Sequence, residues 1–191
     1  MLALKYRCLK IRALMLLVLC RPQAALPMFA RMLLVRPGDA YALASQAHVL
    51  AQLGHVPEAI ASLQALVEAC PQQAAAWFNL AYVLQDVGRL LEAEAAFRQA
   101  LALDPRLDRA WYGLALALIG RSQLDEAVQA LEKNTGLQPL SPYGWYRLAQ
   151  VRLALGQTAA ARQVVAHLRQ FEPRLARQLA TELGFPGHAT H

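Results

Sequence analysis

An all-α chain, folded as an α-solenoid of stacked helix-turn-helix units, is what three observations in this 191-residue sequence predict. Pro37, Pro71, Pro105, Pro139 and Pro173 recur every 34 residues. Trp77, Trp111 and Trp145 keep the same step, and so do Ala25, Ala59, Ala93, Ala127 and Ala161. A fixed period of this length is the signature of a repeat array, in which each unit buries its apolar face only against its neighbours. The composition agrees: hydrophobic residues make up 57% and charged residues 17%, Ala and Leu dominate, and β-branched residues are sparse, which favours helix over strand and excludes a disordered chain.

The stretch 74–107 sets the pattern. Trp77, Leu80, Ala81 and Leu84 follow the three-and-four spacing of one helix face. Gly88 falls at a turn that wants positive φ. Ala93, Phe97 and Ala100 then mark the inward face of a second helix, which Asp104-Pro105 ends, because proline cannot continue a helix and restricts the residue before it.

Taken in chain order against that pattern, residues 1–39 form a degenerate first unit. Ala13, Ala25, Phe29, Met32 and Pro37 are in register, whereas Leu9 replaces Trp, Arg12 replaces Leu and Cys20 replaces the turn Gly. The rival reading is a signal-like or anchoring segment, since Lys5, Arg7, Lys10 and Arg12 precede the apolar run 13–20. That run is only eight residues long and no small-residue cleavage site follows it; the continuing register favours the repeat. Leu14, Met15, Leu16, Leu17, Val18 and Leu19 cannot all face inward on one helix, so part of this edge is expected to be exposed beside many positive charges and to dock on a membrane surface, a partner or a second copy.

Units at 40–73, 74–107, 108–141 and 142–173 follow. The third departs at Ser122, in the turn, and at Asn134, where Ala is expected; the fourth carries Val165 and Leu168 at its second-helix core positions. Residues 174–184 read as a capping helix over the last apolar face, and 185–191 as a disordered tail.

The pattern resembles the tetratricopeptide-repeat (TPR) family: Trp, Leu and a small residue, then Gly, Ala, Phe, Ala and Pro at fixed offsets. Ala47, Ala81, Ala115 and Ala149 stand where the family has Gly. Leu50, Leu84, Leu118 and Arg152 stand where it has Tyr. The resemblance implies a right-handed solenoid whose first helices line a concave surface. Carried over by position, that surface takes Tyr41 and His48, then Phe78, Asn79, Tyr82 and Gln85, then Arg109, Tyr112 and Leu116, then Tyr143, Tyr146, Arg147 and Gln150. Of these, Phe78, Asn79, Tyr82, Gln85, Arg109, Tyr112, Tyr146, Arg147 and Gln150 are the candidate peptide-binding residues. Asn79 and Arg109 sit at positions resembling the carboxylate clamp of chaperone adaptors, but Ala44, His48 and Gly113 lack the other clamp side chains.

The net charge of +6 lies entirely in residues 1–39, where seven cations face Asp39 alone; 40–141 sums to −4 and 142–191 to +4. Basic ends invite anionic partners, yet no RNA- or DNA-reading motif accompanies them, which argues against nucleic acid. Arg outnumbers Lys 16 to 3, pointing to a GC-rich, bacterial source. The three cysteines form no CxxC, so buried free thiols in a reducing compartment are expected.

No HExxH, phosphate loop or GxSxG is present, and no two of His48, His55 and His167 share a helix at metal-ligand spacing. The expectation is a non-enzymatic, cytoplasmic scaffold or adaptor that binds a protein or peptide, with no cofactor, metal or small-molecule substrate. The alternative is a membrane-associated assembly factor or secretion chaperone, held at the inner membrane through residues 5–20.

Overall fold

A computed structural model describes residues 2–185. Among them are eleven α-helices: α1 (Leu2–Val18), α2 (Pro22–Val35), α3 (Ala40–Gln52), α4 (Val56–Ala69), α5 (Ala74–Asp86), α6 (Leu90–Leu103), α7 (Asp108–Gly120), α8 (Leu124–Leu137), α9 (Pro142–Ala154), α10 (Thr158–Arg169) and α11 (Pro173–Glu182). The chain divides into two compact units, Met1–Leu103 and Asp104–His191.

The helices pair as the 34-residue period demands. Each pair turns on one residue with positive φ: Cys20 (54°), Gly54 (79°), Gly88 (77°), Ser122 (60°) and Gly156 (74°). The spacing alone forces Cys20 and Ser122 into a conformation that L side chains avoid. The two departures from glycine are therefore departures in residue type at an unchanged backbone.

The Pro and Trp series turn out to be two ends of one interaction. The indole N–H of Trp77 donates to the carbonyl of Pro71 at 2.8 Å, Trp111 to Pro105 at 2.9 Å and Trp145 to Pro139 at 2.8 Å. Each bond runs back six residues and ties a first helix to the loop that precedes it. The tryptophans are consequently half-buried rather than central to the core.

In the first unit, Ala13 of α1, Phe29 and Met32 of α2, and Ala42 and Val49 of α3 form one buried cluster. Asp39 caps α3 by accepting from the Ala42 N–H at 2.9 Å, and its Oδ1 also accepts from the Tyr6 hydroxyl at 2.7 Å. In the second unit, Leu131, Leu148, Leu168 and Leu179 are fully or almost fully buried, one each from α8, α9, α10 and α11.

Several expectations are corrected. Cys8 and Cys20 are exposed and Cys70 is half-buried, so the thiols are not core residues. Cys8 lies on the outward side of α1, and Cys20 occupies the left-handed turn. Pro173 does not close the fourth unit; it starts α11, where a missing N–H costs nothing. Glu94 is buried in α6 and pairs with Arg98 at 3.0 Å. Phe185, placed in the tail, donates its N–H to the Ala180 carbonyl at 2.8 Å and lies under the Arg162 guanidinium. The rest of the expected tail, 186–191, is outside the described residues.

Asn134 has a physical reason. Its Nδ2 donates to the Asp108 carbonyl at 2.9 Å, and its Oδ1 lies where a Cβ on Gly144 would be, 2.2 Å away. Positions 134 and 144 are complementary in shape, the amide occupying the space that a missing Cβ leaves. One period earlier the residues are Ala100 and Ala110, each fully buried.

Candidate peptide-binding faces

The candidate residues fall on α5, α7 and α9. In the first unit, α5 buries Ala76, Leu80, Ala81 and Leu84, which turns Asn79 and Tyr82 outward. Tyr82 is 61% exposed. Its ring centroid lies 6.4 Å from that of Phe78, which is half-buried and packs in turn against the wholly buried Phe97 of α6 at 6.0 Å. Core, intermediate layer and solvent are thus joined by three aromatic rings, with tilted arrangements of the kind that rings prefer. Gln85 is half-buried one turn further along α5.

Tyr41, placed by position on the same surface, is spent on packing: it is half-buried and Lys10 of α1 sits over its ring at 3.8 Å. His48 is exposed. The tyrosine that the repeat pattern did not single out, Tyr6, is buried in α1. Burial, the hydrogen bond to Asp39 and that carboxylate's charge push its hydroxyl pKa up to about 12, and Arg36 lies 4.4 Å from its ring. It is a structural tie between α1 and α3.

In the second unit, Arg109 is exposed and Tyr112 half-buried on α7. On α9, Tyr143 is 70% exposed, Arg147 is exposed and donates to Gln150 Oε1 at 3.0 Å, and Tyr146 is half-buried with its hydroxyl bonded to Glu182 of α11. That bond raises the Tyr146 pKa and lowers that of Glu182. Arg152 ion-pairs with Glu132 of α8, whereas its counterparts Leu50, Leu84 and Leu118 are buried. The structure therefore groups Phe78, Asn79, Tyr82 and Gln85 on one helix of the first unit. Arg109 and Tyr112 share one helix of the second, and Tyr146, Arg147 and Gln150 another.

Among the described residues, no group of three or more His, Cys, Asp or Glu is placed to hold a metal ion, and no helix is long and apolar enough to cross a membrane.

A helix-pair repeat with exposed aromatic and cationic side chains on its first helices defines a class, the helical repeat protein. The chain belongs to the tetratricopeptide-repeat family, whose sequence model matches residues 12–74, 45–108, 78–135 and 112–174. No match to the sequence is found among the curated proteins. Among solved structures, it is similar to MamA from Desulfovibrio magneticus RS-1, with 21% identity over 88% of this chain and 96% of that one and a TM-score of 0.81. It is similar to YrrB, described as a TPR protein with an unusual peptide-binding site, with 17% identity over 90% and 88% and a TM-score of 0.77. PilF of Pseudomonas aeruginosa gives 19% identity over 96% and 84% and a TM-score of 0.77. These likenesses show the fold, an all-α, right-handed solenoid of stacked helix-turn-helix units.

Proposed function

We propose that the protein is a scaffold or adaptor that binds a peptide or partner protein on the faces of its first helices. The single observation that carries this reading is Tyr82. A large aromatic ring standing mostly in solvent, braced from below by Phe78 and Phe97, offers contact area at little further entropic cost. Asn79 and Gln85 flank it on α5 and supply hydrogen-bonding groups for a bound backbone. In the second unit, Arg109 and Arg147 give the α7 and α9 faces a preference for acidic or aromatic segments, because a guanidinium binds carboxylates in a bidentate manner and stacks on rings.

The test is selection of binding peptides from a displayed library on the full chain, followed by affinity measurement on variants. Tyr82→Ala should weaken the selected peptides by about tenfold or more, the effect of losing an aromatic anchor. Arg109→Glu should select against acidic peptides. Circular dichroism checks that both variants keep their helix content. Peptides that bind both variants as tightly as the original protein would place the binding surface elsewhere.

A further inference from the structure

The outward side of α1 carries an exposed apolar stripe. Opposite the buried Tyr6, Leu9 and Ala13, the residues Leu4, Cys8, Ile11, Met15 and Val18 form a stripe separated by steps of four, three, four and three, and all are exposed. This is the spacing of a seam that takes another helix by knobs-into-holes packing.

The chain itself shows what such positions normally do. One period later, Cys8 and Met15 correspond to Ala42 and Val49, both 0% exposed beneath Phe29 and Met32 of α2. In later first helices, Ala76 is buried, and so are Gly144 and Val151. On α1 the equivalent positions are bare: Met15 is 58% exposed. The face between α1 and α2 is also hollow. A groove of about 700 Å³ is lined by the apolar Leu9, Leu34 and Val35 together with Lys5, Arg12 and Arg31.

We propose that this end face docks an acidic amphipathic helix of a partner protein, seated where a preceding second helix would lie. Charge selects that occupant. Lys5 and Arg12 flank the stripe on one side and Arg7 on the other, and the only acid in residues 1–39, Asp39, is already committed to Tyr6 and the α3 cap. Two copies of the face would oppose cation to cation, since Arg7 and Arg12 hold the positions that meet across a parallel seam. A helix with Glu or Asp beside its apolar stripe pairs with all three. A bilayer surface would satisfy the charge but leave the groove between α1 and α2 unfilled. The stripe's apolar side chains, Leu4, Ile11, Met15 and Val18, are all more than half exposed and make a patch of the kind that marks an interaction site.

Cys8 lies in the stripe and reports on it. In the full chain carrying Cys20→Ser and Cys70→Ser, maleimide labelling of Cys8 is measured with two synthetic amphipathic helices. They share an apolar four-three stripe and differ in flanking Glu or flanking Lys. The expected result is that the Glu-flanked helix slows labelling about tenfold and the Lys-flanked helix does not. Arg12→Glu/Arg31→Glu, both at exposed positions, should abolish that preference, since Lys5 and Arg7 then face two acids. The proposal is overturned if neither helix protects Cys8 or if both protect it equally. It is also overturned if phosphatidylglycerol vesicles protect Cys8 while the Glu-flanked helix does not, which would make the face a membrane contact. Protection that grows with protein concentration alone would make it a self-association surface and would overturn the proposal as well. These readouts are independent of Tyr82 and Arg109.

Discussion

Glycine 144 is the residue at which ordinary helix rules reverse. Replacing a glycine in the first turn of a helix by alanine normally stabilises by a few tenths to about 1 kcal/mol, because glycine loses more backbone entropy on folding. Here the added Cβ would meet Asn134 Oδ1 at 2.2 Å and Thr135 Cγ2 at 3.0 Å, too close for either contact. Gly144→Ala should therefore destabilise the protein, by about 1–3 kcal/mol as for other overpacked cores. Asn134→Ala removes the shorter contact and should rescue most of the loss, leaving only Thr135 Cγ2 to give by a few tenths of an ångström, and the double variant carries the alanine pair found at positions 100 and 110. Urea denaturation of the two single variants and the double closes a thermodynamic cycle. A coupling of less than about 0.5 kcal/mol would mean that the two positions are independent. The sequence displays Asn134 as an irregularity but not its compensation, because the compensating glycine lies ten residues away on the next helix and looks unremarkable there.

At the scale of the helix pair, the turn positions make a natural comparison. Residues 20, 54, 88, 122 and 156 all hold positive φ, and the 34-residue period identifies them without coordinates. Cys20 and Ser122 bear the steric cost that glycine avoids, about 1 kcal/mol per residue. Ser122→Gly should raise the urea midpoint and Gly88→Ser should lower it, each by the equivalent of about 0.5–1 kcal/mol once the larger unfolded-state entropy of glycine is counted. An unchanged midpoint in both would show that flanking interactions, not the backbone, set the turn. Pairing of helices and the identity of their turns were legible in the sequence because both are local and periodic. Side-chain engagements were not: Tyr6 to Asp39, Tyr146 to Glu182 and Arg152 to Glu132 join residues 20 to 36 apart. Such contacts depend on which rotamer faces the neighbouring helix. For the same reason, position alone put Tyr41 with Tyr82, whereas the structure places one under Lys10 and leaves the other in solvent.

At the scale of the molecule, a repeat array distributes stability through nearest neighbours, so damage should stay near its source. Among the described residues, the helix pairs with substantial contact are consecutive in the chain, such as α1 with α2, α2 with α3 and α10 with α11. Leu179 tests this. It is fully buried in α11, whose other buried residues are Ala176 and Ala180, and it is the largest apolar side chain that helix contributes to the core of the second unit. Leu179→Ala should cost about 2–5 kcal/mol, the range for emptying a leucine site. Because α11 contacts α10 and α10 contacts α9, amide exchange should accelerate in α9, α10 and α11 and remain slow in α1 to α4. Native-state hydrogen exchange, resolved by peptide, distinguishes this from a cooperative globule, in which one core truncation raises exchange throughout. Uniform acceleration across both units would show that the array unfolds as a single block, and the units Met1–Leu103 and Asp104–His191 would then be divisions of geometry rather than of stability.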